Sequence, residues 1–151
     1  MNPLMFHHIG LAARSLEPER QAHLLLGYEQ EGEVFHDPVQ QINGVFMRHR
    51  NIRIEIVEPA GEVSPIHEIL VRGHKMYHQC YECTDIQATI DLLVSEGAHV
   101  LRSPVPAVAF QGRSIAFLIM PTLLIVELIE QTVIRGPCDE EEIAARNPSY
   151  P

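Results

Sequence analysis

The strongest constraint on the fold is an internal repeat with a nearly constant offset. Histidines occur in two strand-like runs, at His8 and at His78. Gly27 and Gly97, which each follow a helix-like segment, are separated by the same number of positions as the two histidines. Because glycine commonly ends a helix, each half is expected to contain a strand followed by a helix. The sequence therefore predicts a chain made of two similar halves.

A second repeated feature closes each half. The runs 54–58 and 126–130 each place a glutamate between aliphatic residues, and the offset between these two glutamates, Glu55 and Glu127, is nearly that of the histidines. A carboxylate in an apolar strand needs a partner, because an unpaired buried charge is unfavourable. Two such strands at equivalent points of the repeat suggest one shared partner. The economical partner is a divalent cation held by His8, Glu55, His78 and Glu127.

The alternation of side chains along a strand predicts what surrounds each histidine. His8 shares its face with Gly10, whose lack of a side chain leaves room for an imidazole. His78 shares its face with Glu82 by the same rule. Glu82 is therefore either an acceptor that orients His78 through a hydrogen bond or a residue at the rim of the cavity.

Helix and strand signals give both halves the order strand, helix, strand, strand, strand. Module one spans about residues 5–60 and module two about residues 74–131. The prediction is a single α+β domain, residues 1–131, built from two tandem βαβββ modules. Residues 132–151 are polar and irregular, and they are predicted to form a solvated tail.

Details of the two modules follow from local signals. Ser15 and Asp85 are predicted to cap the two helices. Residues 103–106 contain two prolines and are predicted to form a stiff loop. Six histidines in polar or loop-like surroundings are predicted to be exposed: His23, His36, His49, His67, His74 and His99.

Composition excludes several classes of protein. The formal charge of −9, from 11 basic and 20 acidic residues, argues against a nucleic-acid or anionic-membrane surface, which needs a basic patch. No apolar run has the length of a membrane span, and no signal peptide is recognisable. Three cysteines are most simply free thiols. We therefore expect a cytoplasmic protein whose partner is a small molecule.

The sequence resembles the vicinal oxygen chelate superfamily over about residues 6–131, and within it the methylmalonyl-CoA epimerases. Four segments carry the resemblance, and the Glu-Pro-x-Gly-x-x-Ser-Pro-Ile stretch in the second is the most specific. They are His-Ile-Gly-Leu-Ala at 8–12, Ile-Glu-Ile-Val-Glu-Pro-Ala-Gly-Glu-Val-Ser-Pro-Ile at 54–66, the Tyr77-His78 strand that runs into Thr-Asp-Ile at 84–86, and Ile-Val-Glu-Leu-Ile-Glu at 125–130.

The resemblance implies a fold and a metal site. The family's paired modules form a half-open cavity of β-sheet, and its metal ligands fall on His8, Glu55, His78 and Glu127, the same four residues that the repeat indicates. Two imidazoles and two carboxylates leave open coordination positions and suit one divalent ion of cobalt, nickel, manganese, zinc or iron better than calcium. The superfamily also implies a homodimer.

The resemblance further implies a reaction. An enzyme of this kind removes a proton next to a carbonyl, through a metal-bound enolate of an acyl thioester. Glu127 is the first choice for the base, with Glu55 on the opposite side of the ion. Gln111 and Arg113 lie where epimerases have a glycine-histidine-glycine loop and are candidate substrate-binding residues, or an ordinary hairpin turn. A further glutamate that some epimerases carry on their third strand is matched here by Met47, which argues against a two-base epimerisation.

Other functions are compatible with the same pattern. A glyoxalase I-type lactoylglutathione lyase would use the same metal quartet. An iron-dependent dioxygenase is a weaker alternative, because Glu55 would crowd the oxygen position. A binding protein of the same fold that sequesters an antibiotic or other small molecule would generally lack the quartet. Metal content of protein purified without a chelator separates the enzymes from the binding protein.

Overall fold

A computed structural model describes residues 4–132 of the chain. Of the predicted tail, only Thr132 falls within the described residues. The described part contains eight strands, three α-helices and one 3-10 turn: β1 Met5–Ala12, α1 Leu16–Leu25, β2 Glu29–Asp37, β3 Ile42–His49, β4 Ile52–Pro59, α2 Ile66–Val71, β5 Met76–Cys83, α3 Ile86–Ser95, β6 His99–Pro106, the turn Val108–Phe110, β7 Ser114–Ile119 and β8 Ile125–Glu130. Within these residues no helix has the length and apolar character needed to cross a membrane.

All eight strands lie in one mixed sheet with the order β2-β3-β4-β1-β5-β8-β7-β6. Each half of the sheet holds the four strands of one repeat, with a parallel pair at its inner side: β1 with β4, and β5 with β8. The halves join through the antiparallel pairing of β1 with β5. This arrangement confirms the predicted α+β class and brings the first and last strands of both halves to the centre.

Helices α1 and α3 cover one face of the sheet. The side chains that α1 covers come from alternate positions of its neighbouring strands, as the period of a strand requires. In the first half, the side chains packed with α1 are those of Leu11, Val45, Met47, Ile54 and Ile56. In the second half, the side chains packed with α3 are those of Ala116, Leu118, Val126 and Leu128. Ile66 of the short helix α2 packs instead with Ala12, Ile42 and Val57 on the opposite face, which is otherwise left with room for a cavity.

One of the two predicted helix caps is correct. Asp85 Oδ1 accepts a hydrogen bond from the backbone N–H of Ala88 at 2.9 Å, as an N-cap does. Ser15 occupies the N-cap position of α1 without a side-chain hydrogen bond. The carboxylate of Glu58 accepts from Leu16 N at 2.7 Å instead, so the last strand of the module anchors its first helix.

The predicted loop at residues 103–106 belongs to β6. This strand is the last in the sheet order, where a proline without an N–H interrupts no ladder on its free side. Its register against β7 shifts between Val100 and Arg102 and again between Arg102 and Val105. The edge position and the register shifts allow these residues to form a strand, although their two prolines predict a loop.

Two buried polar groups consolidate the structure. His23, predicted to be exposed, is buried, because its ring packs edge-on against Tyr28 at 5.1 Å and Nδ1 contacts Glu19 O at 2.8 Å. Asp37 is fully buried and accepts hydrogen bonds from the backbone and side chain of Gln40 and, across the two halves, from Val108 N at 3.2 Å. Asp37 thereby holds the 3-10 turn of the second half against the first.

Candidate metal centre

The four predicted ligands meet on the face of the sheet opposite α1 and α3. Glu55 lies on β4, His8 on β1, His78 on β5 and Glu127 on β8, so four adjacent strands each supply one residue. Each offers a ligand atom within 4.8 Å of those of the others. All four are buried, with exposed fractions between 0 and 4 %. The repeat therefore brings together the residues that it predicts.

The distances within the quartet define a compact centre. His8 Nε2 lies 3.1 Å from His78 Nε2 and 3.2 Å from both Glu55 Oε2 and Glu127 Oε2. His78 Nε2 lies 3.1 Å from Glu127 Oε2 and 3.7 Å from Glu55 Oε2. Two ligand atoms that each lie about 2.1 Å from one ion, at right angles to each other, are about 3 Å apart. The spacing fits a single common ion.

The chemistry of the donor set also fits a divalent cation. Two carboxylates and two imidazoles buried together carry excess negative charge, even with a proton on one imidazole, and this charge needs compensation. Glu127 Oε2 is buried and accepts no hydrogen bond of normal geometry. A cation among the four groups would satisfy both this oxygen and the excess charge, so the residues present fit the ion that the fold family implies.

Electrostatics within the quartet are strong. Burial alone would lower the pKa of His8, but the carboxylates of Glu55 and Glu127 raise it from 6.5 to about 9. Burial would raise the pKa of the Glu127 carboxyl, but the imidazoles of His78 and His8 hold it well below its ordinary value. A metal that binds at neutral pH must therefore displace a proton held by His8.

Two β-bulges place additional side chains beside the histidines. In the pairing of β1 with β5, Phe6 opposes Tyr81 and His8 opposes Cys80, so His7 is an extra residue. Similarly, Gly10 opposes His78 and Leu11 opposes Met76, which makes Tyr77 an extra residue. A bulge changes the direction in which side chains point. As a result, the ring centroids of His7 and His8 lie 5.1 Å apart, and those of Tyr77 and His78 lie 4.5 Å apart.

His7 and Tyr77 were not among the predicted site residues. Simple alternation places each on the opposite face from the histidine that follows it. A signal was nevertheless present, since the two residues have the same offset in the sequence as His8 and His78. Burial, followed by the charges of Glu55 and Glu127, raises the pKa of Tyr77. Its side chain therefore remains a neutral phenol.

His7 links His8 to a surface ion pair. His7 Nδ1 lies 2.8 Å from His8 Nδ1, and Arg53 donates from Nη1 to His7 Nε2 at 2.9 Å. Arg53 in turn donates to Glu31 from Nε and Nη2. Partners of the second nitrogen of a ligating histidine fix the orientation of its ring. His78 has no such partner among the described residues, because its Nδ1 is buried and unpaired.

The contact between His7 and His8 leads to a prediction for metal affinity. We expect His7→Phe to weaken Co²⁺ or Zn²⁺ binding by about 10- to 100-fold, because phenylalanine keeps the edge-on contacts with Phe46 and Phe110 but cannot hydrogen-bond His8. Calorimetric titration of the metal-free protein measures the change. His36→Phe, which removes a ring that contacts Asn43, is the control. Equal affinities of wild type and His7→Phe would contradict this role.

Aromatic rings flank the quartet symmetrically. Glu55 is paired across the sheet with Phe46, and Glu127 with Phe117. Phe46 lies edge-on to His8 and Phe117 edge-on to His78, each at 5.4 Å. Phe110, which is 4 % exposed, stacks on His8 with a centroid distance of 6.0 Å. These rings shield the quartet from solvent.

Met47 does not occupy a position from which a residue could act at the quartet. It is fully buried beneath α1, on the helix-covered face of β3. The position matched to a further glutamate of some epimerases therefore faces away from the quartet in this chain. The β3 residues that share the face of Glu55 are Phe46, its direct partner, and Gly44, two positions away. Neither supplies a carboxylate.

The predicted substrate-binding residues Gln111 and Arg113 line a separate cavity of about 300 Å³, the polar cavity, together with His7, Arg53 and Phe110. Arg113 donates to Glu82 at 2.9 Å and lies over the Phe110 ring at 5.7 Å. Glu82 therefore pairs with Arg113 and leaves His78 without the acceptor that alternation suggests. Gln111 adopts a left-handed backbone conformation, with φ of 56°, which is uncommon for a residue other than glycine.

A second group of three residues, His7, His8 and Cys80, also offers ligand atoms within 4.8 Å of one another. Burial and the neighbouring Glu127 raise the pKa of the Cys80 thiol well above its ordinary value. Since the thiolate is the form that binds metals, this group is less suited to an ion than the quartet. Cys80 and Cys83 are free and buried.

Known proteins resemble this chain in sequence and fold. It is 34 % identical over 115 residues to the ethylmalonyl-CoA/methylmalonyl-CoA epimerase of Cereibacter sphaeroides, covering 74 % of this chain and 85 % of that protein. The hypothetical protein BH1468 from Bacillus halodurans C-125 has a similar structure, with a TM-score of 0.75 and 25 % sequence identity. The match covers 89 % of this chain and 99 % of that one.

A third comparison concerns the fold alone. Streptomyces coelicolor methylmalonyl-CoA epimerase in complex with 2-nitronate-propionyl-CoA has a TM-score of 0.71, at 20 % identity and with coverage of 87 % of this chain and 100 % of that one. The family model of the glyoxalase/bleomycin resistance protein/dioxygenase superfamily matches residues 7–117. Because this match spans most of the chain and the Cereibacter epimerase is a clear relative in sequence, the chain belongs to the glyoxalase/bleomycin resistance protein/dioxygenase superfamily.

Proposed function

We propose that this protein is a metal-dependent epimerase that moves a proton next to the carbonyl of an acyl-CoA thioester. Two findings support the proposal. The curated relative is an ethylmalonyl-CoA/methylmalonyl-CoA epimerase, and the buried quartet carries two carboxylates beside two imidazoles with ligand atoms within 4.8 Å. The quartet is the observation on which the proposal depends, because a binding protein has no need to bury two carboxylates.

In the proposed mechanism one divalent ion would be held by His8, His78, Glu55 and Glu127. When bound, it would supply Lewis-acid stabilisation of negative charge on a substrate carbonyl oxygen. Phe46, Phe110 and Phe117 surround the imidazoles and exclude water, which strengthens electrostatic interactions in the site.

Glu127 is the proposed proton acceptor and Glu55 its counterpart. In the sheet order β4-β1-β5-β8 the two glutamates lie on the outer strands, on either side of the histidines. Epimerisation removes a proton from one face of a carbon and returns one to the other face, so two carboxylates on opposite sides suit it. On β3, Gly44 and Phe46 face this side of the sheet and provide no additional acid.

Ligation sets a requirement on this mechanism. Direct ligation to a cation would lower the proton affinity of the Glu127 carboxylate. We infer that a chelating substrate would displace or loosen Glu127 from the ion. Separation raises the proton affinity of the carboxylate where the proton must be taken.

The polar cavity is the proposed site for anionic groups of the substrate. Arg113 and Arg53 both contribute to its wall, and guanidinium groups bind phosphate and carboxylate oxygens well. Gln111 adds an amide donor at the same wall.

The homodimer and the cytoplasmic location stay predictions. Sedimentation of the purified protein would test the first, and localisation of a tagged form would test the second.

The deciding experiment is metal-dependent exchange of solvent deuterium. Protein purified without a chelator is assayed for bound metal, then incubated in D₂O with methylmalonyl-CoA and ethylmalonyl-CoA of defined configuration. We expect deuterium at C2 and interconversion of the two configurations, with both lost on chelation and restored by Co²⁺. Turnover of the glutathione hemithioacetal of methylglyoxal without thioester exchange would identify a lyase instead. Absence of metal and of both activities would favour a binding protein.

A further inference from the structure

Tyr77 is a polar residue in the wall of an otherwise largely apolar space. It lines a cavity of about 190 Å³ on the quartet side of the sheet, the apolar cavity, whose other walls are mostly aliphatic and aromatic, with Gln40 and Arg102 as further polar residues. It also lines an adjoining cavity of about 400 Å³ that reaches His78. Tyr77 therefore stands between the metal ligand His78 and the space in which a ligand could extend.

Within residues 4–132, the hydroxyl of Tyr77 has no hydrogen-bond partner. No described residue forms a hydrogen bond with it, whereas the hydroxyl of Tyr81, in the same strand, donates to Gln79 at 2.7 Å. A hydroxyl in apolar surroundings is unfavourable unless it is hydrogen-bonded. The Tyr77 hydroxyl is not among the fully buried side-chain atoms without a partner, so a molecule in the cavity can reach it. It is therefore positioned to form a hydrogen bond with a ligand that enters the cavity.

The bulge in β5 gives the hydroxyl its position. Tyr77 is the extra residue of this bulge, so its ring lies edge-on to His78, with centroids 4.5 Å apart at 85°, instead of facing α1 and α3. It packs against a buried cluster that includes Ala12 and Val57, which share the face of His8 and Glu55 by alternation. The same strand thus supplies a metal ligand and, one residue earlier, a hydrogen-bond donor on the same side.

We propose that Tyr77 is a substrate-binding residue whose hydroxyl donates a hydrogen bond to a carbonyl or carboxylate oxygen of the thioester, while the apolar cavity receives the alkyl group at C2. This inference rests on the proposed function and names the substrate class within it: 2-alkyl malonyl-type thioesters. A volume of about 190 Å³ equals that of roughly six liquid water molecules. It therefore accommodates an ethyl or longer group as well as a methyl group.

The test is the variant Tyr77→Phe, which keeps the ring and removes the hydroxyl. Calorimetric titration of the Co²⁺-loaded protein with 2-nitronate-propionyl-CoA is expected to give binding about tenfold weaker than wild type. Deuterium exchange with ethylmalonyl-CoA is expected to show KM raised about tenfold with little change in kcat, because a contact made in both ground and transition state is lost. Tyr81→Phe is the matched control and is expected to match wild type in both assays.

A structural role and a substrate role give different results. Because the hydroxyl forms no hydrogen bond with any residue that the structure describes, Tyr77→Phe is expected to leave Tm and Co²⁺ affinity at or above their wild-type values. A lowered Tm together with unchanged ligand binding would overturn the inference. Equal binding and exchange of the thioester by wild type and Tyr77→Phe would overturn the inference alone. Wild type that neither binds nor exchanges any thioester would overturn the proposed function, and this inference with it.

Discussion

Glu127→Gln is expected to lower the rate of deuterium exchange at C2 by about 10²- to 10⁴-fold, the range that a positioned acid or base contributes. Glutamine keeps the shape of the side chain and an oxygen that can still face the quartet, but it cannot accept the proton. Metal affinity should fall by a smaller factor, because a neutral oxygen replaces a charged one. Exchange measured at saturating Co²⁺ separates the two effects. Full exchange activity with metal retained would exclude Glu127 as the base.

Two further variants assign the proton transfers. In Glu55→Gln, if each glutamate serves one face, the protein should still exchange the proton of one configuration but should no longer interconvert the two. Glu130→Gln, a change on the same strand as Glu127 at a partly exposed position, controls for the loss of a charge from β8. A large loss of exchange in Glu130→Gln would show that the effect of Glu127→Gln is not specific to the quartet.

The internal repeat was sufficient to predict the centre of the fold. Because the histidine strand and the glutamate strand open and close each half, pairing of the halves at β1 and β5 brings all four residues together. The same repeat extends to Phe46 and Phe117, which lie beside Glu55 and Glu127 across the sheet. The sequence contained this pattern, but only strand register identifies which aromatic residues face the site.

Features that depend on long-range pairing could not be derived from local signals. A bulge adds a residue without a distinctive sequence, so alternation placed His7 and Tyr77 on the wrong face. The cap of α1 comes from Glu58, which is distant in sequence from Leu16, and no local motif indicates it. Likewise, residues 103–106 form a strand because β6 is at the sheet edge, which becomes known only when the order of all strands is known.

Gly10→Ala is expected to have the largest effect on the metal centre of any single methyl added to it. A Cβ at Gly10 would lie 1.9 Å from His78 Cε1 and 2.2 Å and 2.4 Å from the two ring nitrogens. The ring cannot move away freely, because Tyr77 and Phe117 pack against it edge-on. We expect metal affinity to fall by roughly 100-fold or more and the free energy of unfolding to fall by about 1–3 kcal/mol, as for other overpacked cores.

A double-mutant cycle with His78→Ala isolates the cause. If the added methyl acts by displacing the His78 ring, Gly10→Ala should destabilise the wild-type background but have almost no effect when residue 78 is alanine. A coupling energy of about 1–3 kcal/mol, measured by urea denaturation of the metal-free proteins, would show this. Equal destabilisation in both backgrounds would contradict the steric explanation. Because Gly10 and His78 are direct partners across the central strand pair, such coupling would also establish the register on which the whole quartet depends.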